Sequence, residues 1–380
     1  MILMQTQAIF IDAYRELNAK KLFWITMLLS LLIVVVIASL GINEHGYTFL
    51  WFDLDFFPGP MGDIDPGEYY ISLFSTLGIS LWLTWIATIL ALISTASIIP
   101  DLIAGGVIET TLSKPIARSR LFLTKYATGL LFVALQVGVF SAASFIVIGI
   151  RGDYWEPRLF LAIPIVLAFF SYLYAVSALV GMMTKAAMPA ILLTCLFWAF
   201  LFLLNMADGG LTVFKTQTEI MMEQRMNRIE QIEHNTIRLI RSEMNQEEAG
   251  SGEGYLPSEA EIEERNPFLP QIKRDLAENQ AALKSLTLWY RIVYGIKTVL
   301  PKTGETASLL RRYLIAPEFS DETKVDSADP NVFLVNEEQL NQRVDEVYRS
   351  RPLWWVLGTS LVFEGILLAF CTWRFTRRDF

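Results

Sequence analysis

The chain has 380 residues, of which 53% are hydrophobic and 18% are charged, and its formal net charge is −8. Several apolar runs reach about eighteen residues or more, the length at which a helix can cross a bilayer. This composition excludes an ordinary water-soluble protein, and we expect no nucleic-acid partner. Both cysteines, Cys195 and Cys371, lie inside apolar runs, so the sequence contains no disulfide framework.

The amino-terminal region predicts a surface helix followed by a first membrane span. Residues 1–21 carry apolar side chains at helical spacing with charged residues elsewhere, as in a helix that lies flat on a membrane. Residues 22–40 form an uncharged run that is longer than the core of a signal peptide, so we interpret it as a retained span. Residues 41–70 are acidic and aromatic without Lys or Arg. They predict an outer loop rather than a calcium site, because EF-hand spacing is absent.

Five further apolar runs predict the remaining spans, at residues 71–98, 121–150, 159–182, 189–206 and 352–373. Lys and Arg concentrate near the amino terminus, between the second and third spans, at Lys185 and in the carboxyl tail. Positively charged short loops stay in the cytoplasm. We therefore expect a multi-pass protein of the cell (inner) membrane with both termini cytoplasmic and the acidic loop outside.

Six spans leave residues 207–351 on the outer side. Residues 211–244 carry an amphipathic helical pattern, and residues 271–288 resume it after a link rich in Gly, Ser and Glu. These two helices predict an antiparallel, coiled-coil-like hairpin. Residues 289–300 are apolar on nearly every face and too short to span, so they predict a separate interfacial helix. Residues 336–349 predict a helix that runs straight into the sixth span.

Together these elements predict an all-α, polytopic membrane protein with six transmembrane helices and a large helical extracytoplasmic insert. Residues 1–206 form a membrane domain with the surface helix and five spans. Residues 207–351 form the insert between the fifth and sixth spans, and residues 352–380 supply the sixth span and a cytoplasmic tail.

A polar and basic segment at residues 99–129 separates the second and third spans. Ordinary connections take about 2–8 residues, so this one is too long for a simple turn. Residues 101–111 have helical spacing, and Pro115 ends the helix because proline cannot join the hydrogen-bond ladder. The segment therefore predicts a short helix at the membrane surface, flanked by cations. A basic loop that only anchors orientation is the simpler alternative.

The segment also carries an ordered motif, which reads Gly105, Gly106, Glu109, Leu112, Ser113, Lys114, Pro115, Arg118 and Lys125. This order resembles the cytoplasmic loop between the second and third spans of type-2 ABC exporter permeases, except that Thr111 stands where the family usually has Leu. The resemblance implies that the loop docks on a separate cytoplasmic ABC ATPase subunit. The implied coupling residues are Asp101, Glu109, Ser113, Lys114, Pro115, Arg118 and Lys125.

The resemblance further implies a permease subunit that is not itself an enzyme and needs no cofactor in its own chain. ATP and Mg²⁺ would bind the partner ATPase, and two copies, or this chain and a second permease, would pair in the bilayer. No ATP-binding cassette occurs in the sequence. Residues 301–306 lack the Gly-Lys-Ser/Thr ending of a phosphate loop. His45 and His234, the two histidines, are far apart and predict no metal or catalytic site.

Two other functional classes stay open on the sequence. One is a membrane scaffold or sensor whose outer helices bind an envelope partner. The other is a membrane-embedded enzyme that acts on lipid, for which the sequence offers no catalytic constellation. The permease is expected to export a substrate or to perform work on the cell envelope.

Glu364 is an ionisable residue inside the predicted sixth span. A charge at the centre of a bilayer costs about 2.5–3.5 kcal/mol on insertion scales, so this side chain should face protein or water. It either lines a translocation path or protomer interface, or it holds neighbouring spans together as a protonated or hydrogen-bonded carboxyl. Gln136 and Ser141 of the third span are the candidate partners for the second role.

Overall fold

The structure is a computed structural model that describes residues 21–43, 46–50, 52–53, 66–104, 117–247, 255–314 and 336–377. Within them, six helices are long and apolar enough to cross a membrane: Lys21–Ser39, Tyr69–Ile103, Arg118–Arg151, Pro157–Thr184, Ala187–Met244 and Trp354–Arg377. The prediction of a helical membrane protein with six candidate spans is confirmed. The surface helix predicted at residues 1–21 lies outside the described residues, apart from Lys21.

The helices are numbered here in chain order. They are α1 Lys21–Ser39, α2 Pro66–Leu73, α3 Thr88–Thr95, α4 Ile98–Ala104, α5 Arg118–Arg151, α6 Ala162–Thr184, α7 Ala187–Glu247, α8 Glu259–Arg265, α9 Leu269–Val299, α10 Thr303–Leu314, α11 Glu337–Arg349 and α12 Thr359–Arg377. Wider π-helical turns join α2 to α3 over Phe74–Ala87 and precede α12 over Trp354–Gly358. A 3₁₀ segment, Pro157–Leu161, leads into α6.

A small antiparallel sheet follows α1, where the sequence predicts only a loop. Its strands are β1 Leu40–Asn43, β2 Gly46–Phe49 and β3 Phe52–Asp53, in the order β1-β2-β3. Leu40 pairs with Phe49, and the Tyr70 hydroxyl donates a hydrogen bond of 2.8 Å to the Leu40 carbonyl. Strands of two to four residues are too short to produce a recognisable alternation of apolar and polar positions, so the sequence analysis missed them.

The chain divides into two compact units. The first, called the membrane unit, contains the described residues of Met1–Leu203, Thr298–Glu322 and Leu353–Phe380. The second, called the hairpin unit, contains those of Leu204–Lys297 and Thr323–Pro352. The predicted insert of residues 207–351 therefore differs from the observed grouping. It includes α10, which was not predicted and which packs against α6 in the membrane unit.

In the membrane unit, α1, the second span, α5 and α6 share one apolar core. A polar contact joins the first three of these segments at Ser30. Its buried hydroxyl oxygen lies 3.2 Å from Nε1 of Trp82 and 3.5 Å from Nε2 of Gln136. A bilayer interior supplies no water for such groups, so a shared partner fixes which helix faces meet.

In the hairpin unit, α7 and α9 lie antiparallel. Lys215 lies over the ring of Tyr290 at 5.4 Å, and Arg225 approaches Asp275 at 3.7 Å. The residue number rises along α7 from 215 to 225 while that of the contacting residue on α9 falls from 290 to 275, so the two helices run antiparallel. The predicted hairpin is confirmed as a feature of this unit.

Several predicted breaks between helices are wrong. Helix α7 is continuous, so the span predicted at 189–206 and the amphipathic helix predicted at 211–244 are one element. Helix α9 likewise includes most of the separate interfacial helix predicted at 289–300, because no helix-breaking residue separates that stretch from the preceding one. Conversely, α11 does not run straight into the sixth span. Pro352 interrupts it, since proline disfavours helical conformation in the residue before it.

A cluster of charges joins three parts of the hairpin unit at Lys273. Its ammonium group lies 2.5 Å from a carboxylate oxygen of Glu259 and 3.4 Å from those of Glu233 and Glu263. The hydrogen bond to Glu259 is the main cause that raises the pKa of Lys273 to about 12. These groups are largely solvated, so the cluster contributes little stability.

A close helix contact in the membrane unit forms where Gly129 of α5 faces Tyr174 of α6. A Cβ atom added at Gly129 would lie 2.6 Å from the Tyr174 ring and hydroxyl. That ring cannot swing away easily, because it is buried and stacks on Tyr126 at 4.8 Å and on Phe170 at 5.5 Å. The absence of a side chain at position 129 therefore sets the approach of the two helices.

Gly129→Ala is expected to destabilise the protein by about 1–3 kcal/mol through overpacking at this contact. Thermal unfolding of the purified protein in detergent measures the effect. Gly138→Ala in the same helix is the control, because its new Cβ would meet its nearest neighbour, Ile163, at 3.9 Å. The control should leave stability unchanged or raise it slightly, since alanine favours helix over glycine. Equal losses in the two variants would contradict this account.

Candidate functional site

The segment that the sequence identifies as an ATPase-coupling loop is partly described. Its beginning forms α4, which follows α3 after a two-residue turn and is the last helix of the second candidate span, Tyr69–Ile103. Helix α4 packs against α5 and α6, and a Cβ at Gly181 of α6 would lie 3.0 Å from the Pro100 ring. The predicted helix at residues 101–111 is thus observed as far as Ala104. Four predicted coupling residues lie outside the described part of the chain: Glu109, Ser113, Lys114 and Pro115.

The other three predicted coupling residues are described. Asp101 is exposed on α4, and Lys125 is half-buried on the second turn of α5. Arg118 is the first residue of α5, and its guanidinium donates a hydrogen bond of 3.4 Å to the carbonyl of Thr376 near the end of α12. The structure therefore brings the beginning of the third span and the end of the sixth span together at Arg118.

Lys185 is the residue at which α6 ends, and it connects α6 to α7. It is exposed, and its backbone adopts the left-handed conformation with φ of 56°, while its N–H still donates to the carbonyl of Gly181. This geometry terminates the helix and lets the chain turn directly into α7.

Glu364 lies on α12 and is buried between α5 and α6. Its Oε1 lies 2.9 Å from the Tyr126 hydroxyl, and its Oε2 lies 2.7 Å from the Ser171 hydroxyl. The carboxyl therefore joins the third, fourth and sixth candidate spans. The partners that the sequence suggested are not the ones observed, since Gln136 contacts Ser30 instead.

A second buried cluster, which the sequence analysis missed, lies in the hairpin unit and is called the Asp208 cluster. It consists of Asp208 on α7, Lys297 on α9 and Arg351 after α11, each 5% exposed or less. Asp208 Oδ2 accepts from Lys297 Nζ at 2.9 Å and from Arg351 Nη1 at 2.8 Å, while Oδ1 accepts from Arg351 Nη2 at 3.1 Å. The arginine contact is bidentate, the strongest geometry for such a pair.

One sequence signal could have identified Asp208. It is the only charged residue between Lys185 and Lys215, in a stretch that otherwise continues the apolar fifth span. A charge placed so close to a membrane span needs a specific partner. The identity of the partners was not readable, because Lys297 and Arg351 are 89 and 143 residues away along the chain.

Comparison with known proteins supplies no assignment for these clusters. No family model, curated protein or solved structure matches the chain. The role of each site is therefore argued from its geometry and from the motif in the sequence.

In the Asp208 cluster one carboxylate pairs with two cations. A variant without the carboxylate therefore tests how much the cluster stabilises the hairpin unit. Asp208→Asn removes the charge that both cations share, and breaking a buried ion pair in this way costs about 3–5 kcal/mol. Thermal unfolding is followed by circular dichroism and by protease resistance of the hairpin unit. Both measurements should show that the variant is much less stable than the wild type.

Glu223→Gln is the matched control for Asp208→Asn. Glu223 pairs with Arg343 at 2.9 Å, but the two side chains are 52% and 45% exposed. An exposed ion pair contributes about 0.2–1 kcal/mol, so this variant should unfold close to the wild type. Similar shifts in the two variants would mean that the Asp208 cluster does not stabilise the unit.

Proposed function

We propose that this chain is the transmembrane permease subunit of an ATP-driven exporter of the type-2 ABC class, and that a separate cytoplasmic subunit hydrolyses the ATP. The observation that carries the proposal is α4, a seven-residue helix at the end of the second candidate span that begins the motif-bearing segment. A short helix at this position, followed in sequence by Glu109, Lys114, Pro115 and Arg118, is the arrangement that the resemblance implies for docking on such an ATPase.

The packing of α4 supports a role in transmitting force. Pro100 lies against Gly181 of α6, and α4 also contacts α5. Close-packed contacts of this kind are not continuously deformable, so a displacement of α4 moves the helices that it touches. Arg118 adds a connection from the start of α5 to the end of α12. Movement imposed on the coupling segment therefore reaches the third, fourth and sixth spans.

The proposed mechanism makes use of these contacts. Two permease chains pair in the membrane, either two copies of this chain or this chain and a second permease. Each chain inserts the coupling segment into an ATPase subunit. ATP binding closes the ATPase dimer, and the difference in contact energy between the open and closed ATPase shifts the packing of the spans. The result of this cycle is net export of a substrate, or mechanical work on the hairpin unit and the cell envelope.

The hairpin unit favours a second candidate function, a scaffold or sensor that binds an envelope partner. Helix α9 exposes large apolar side chains at helical spacing, with Trp289 55%, Ile292 44% and Ile296 43% exposed. Large exposed apolar patches mark contact with protein or lipid. This candidate requires no ATPase, which is how the two functions are distinguished.

The decisive experiment is co-purification with an ATPase encoded next to the gene of this chain, followed by measurement of ATP hydrolysis in lipid vesicles. We expect the complex to form and the permease to change the hydrolysis rate. Arg118→Ala and Glu109→Gln should each reduce binding of the ATPase at least about tenfold, the equivalent of 1.4 kcal/mol. Truncating one partner of a charge pair at an interface commonly costs more than that.

Lys185→Gln is the control for these variants. It also removes an exposed charge from a short connection on the side predicted to be cytoplasmic, but it lies outside the motif. ATPase binding should survive this change. If no ATPase associates with the intact chain, the permease proposal fails and the scaffold is favoured. If the three variants weaken association equally, the effect is one of general charge and not of the motif.

A further inference from the structure

Glu364 takes part in a network of four short oxygen–oxygen contacts. The Tyr126 hydroxyl lies 2.9 Å from Glu364 Oε1 and 3.0 Å from the carbonyl oxygen of Ser171. The Ser171 hydroxyl lies 2.7 Å from Glu364 Oε2 and 2.9 Å from the carbonyl oxygen of Ala168. Each hydroxyl is thus within hydrogen-bond distance of two oxygen atoms.

The number of these oxygen–oxygen contacts is larger than the number of hydrogen atoms that the two hydroxyls can donate. A hydroxyl donates one hydrogen, a backbone carbonyl only accepts, and an ionised carboxylate also only accepts. With an ionised Glu364, two hydrogens serve four oxygen–oxygen contacts. A protonated Glu364 contributes a third hydrogen. It then donates to one hydroxyl, which is free to donate to its backbone carbonyl, while the other hydroxyl donates to the second carboxyl oxygen.

The surroundings of the carboxyl agree with a neutral group. Glu364 is 8% exposed, Tyr126 4% and Ser171 5%, in a segment that is long and apolar enough to span a membrane. Two phenols interact with it, Tyr126 from α5 and Tyr172 from α6. Phenols are ordinarily uncharged at neutral pH, so these two groups do not balance a carboxylate.

We propose that Glu364 is an intramembrane proton-binding site, which holds a neutral carboxylic acid that bridges α12 to hydroxyls on α5 and α6. This inference goes beyond the permease assignment and does not rest on it, because it concerns the protein alone. The reaction is simple binding of one proton by the carboxylate, with formation of one O–H bond. The proton lies between a carboxyl oxygen and a hydroxyl oxygen.

Further uncharged hydroxyl groups lie near the site. Tyr172, adjacent in sequence to Ser171, is fully buried near Thr306 of α10 and Ser360 of α12. Ser360 lies one helical turn from Glu364 on the same helix.

The site links protonation to the arrangement of three spans. Separation of α12 from α5 or α6 removes the hydroxyls that stabilise the neutral acid and changes its affinity for a proton. By linkage, protonation favours the packed arrangement, and loss of the proton places an uncompensated charge between the helices. Movement of these spans is therefore accompanied by uptake or release of a proton.

Infrared spectroscopy of the full chain in lipid nanodiscs tests the proposal. The protein is labelled with carbon-13 in the glutamate side-chain carboxyl and measured at pH 7. We expect a band from a protonated carboxylic acid that shifts on transfer to heavy water and is lost in Glu364→Gln. The variant itself should keep wild-type thermal stability, since glutamine is a neutral group of the same shape. Absence of an acid band at pH 7 in the wild type overturns the proposal.

Two further variants complete the test. Glu156→Gln is the control, because Glu156 is buried to a similar degree and accepts from the Tyr154 hydroxyl at 3.1 Å but lies outside the candidate spans. The acid band should survive in this variant, and its loss there assigns the band to Glu156 and overturns the proposal. If Glu364→Gln does not fold, Tyr126→Phe decides. It removes one hydrogen bond to the carboxyl, so the band should move to higher frequency, and an unmoved band contradicts the assignment.

Discussion

A bilayer interior has no water to offer, so a polar side chain that a membrane helix carries inward is stabilised by a partner within the protein, on its own backbone or on another helix. The membrane unit depends on this constraint. Ser30 joins the first span to Trp82 of the second and Gln136 of the third. Glu364 joins the sixth to the third and the fourth. Together with close packing at small residues such as Gly129, these contacts select which faces of the helices meet.

Lys302 illustrates the same constraint with a cation. It is 1% exposed, and its ammonium group donates to the carbonyls of Thr298 and Leu300 and to the hydroxyl of Thr359, with the ring of Trp355 at 4.5 Å. Carbonyls at the end of a helix carry partial negative charge, so a cation placed there is stabilised. Lys302 thus joins the end of α9 to the helix of the sixth candidate span.

The hairpin unit is stabilised differently along its length. Ion pairs such as Glu223–Arg343 are exposed, whereas the Asp208 cluster is buried. Exposed pairs are screened by water, but a buried carboxylate between two cations has no alternative partner and holds its geometry strictly. Asp208, Lys297 and Arg351 each lie within about a turn of a position where the chain passes between the two units.

The sequence by itself determined the apolar runs, and with them the six candidate spans and the amphipathic pattern of the hairpin, because burial in lipid or in a helix pair requires a periodic or continuous apolar surface. It also identified Glu364 as a residue in need of a partner. Only the tertiary structure decided that the partners are Tyr126 and Ser171, that Asp208 meets two distant cations, and that α7 continues through Gly209 and Gly210. These outcomes depend on residues far apart in the chain, and a local pattern cannot specify which distant side chain fills a given contact.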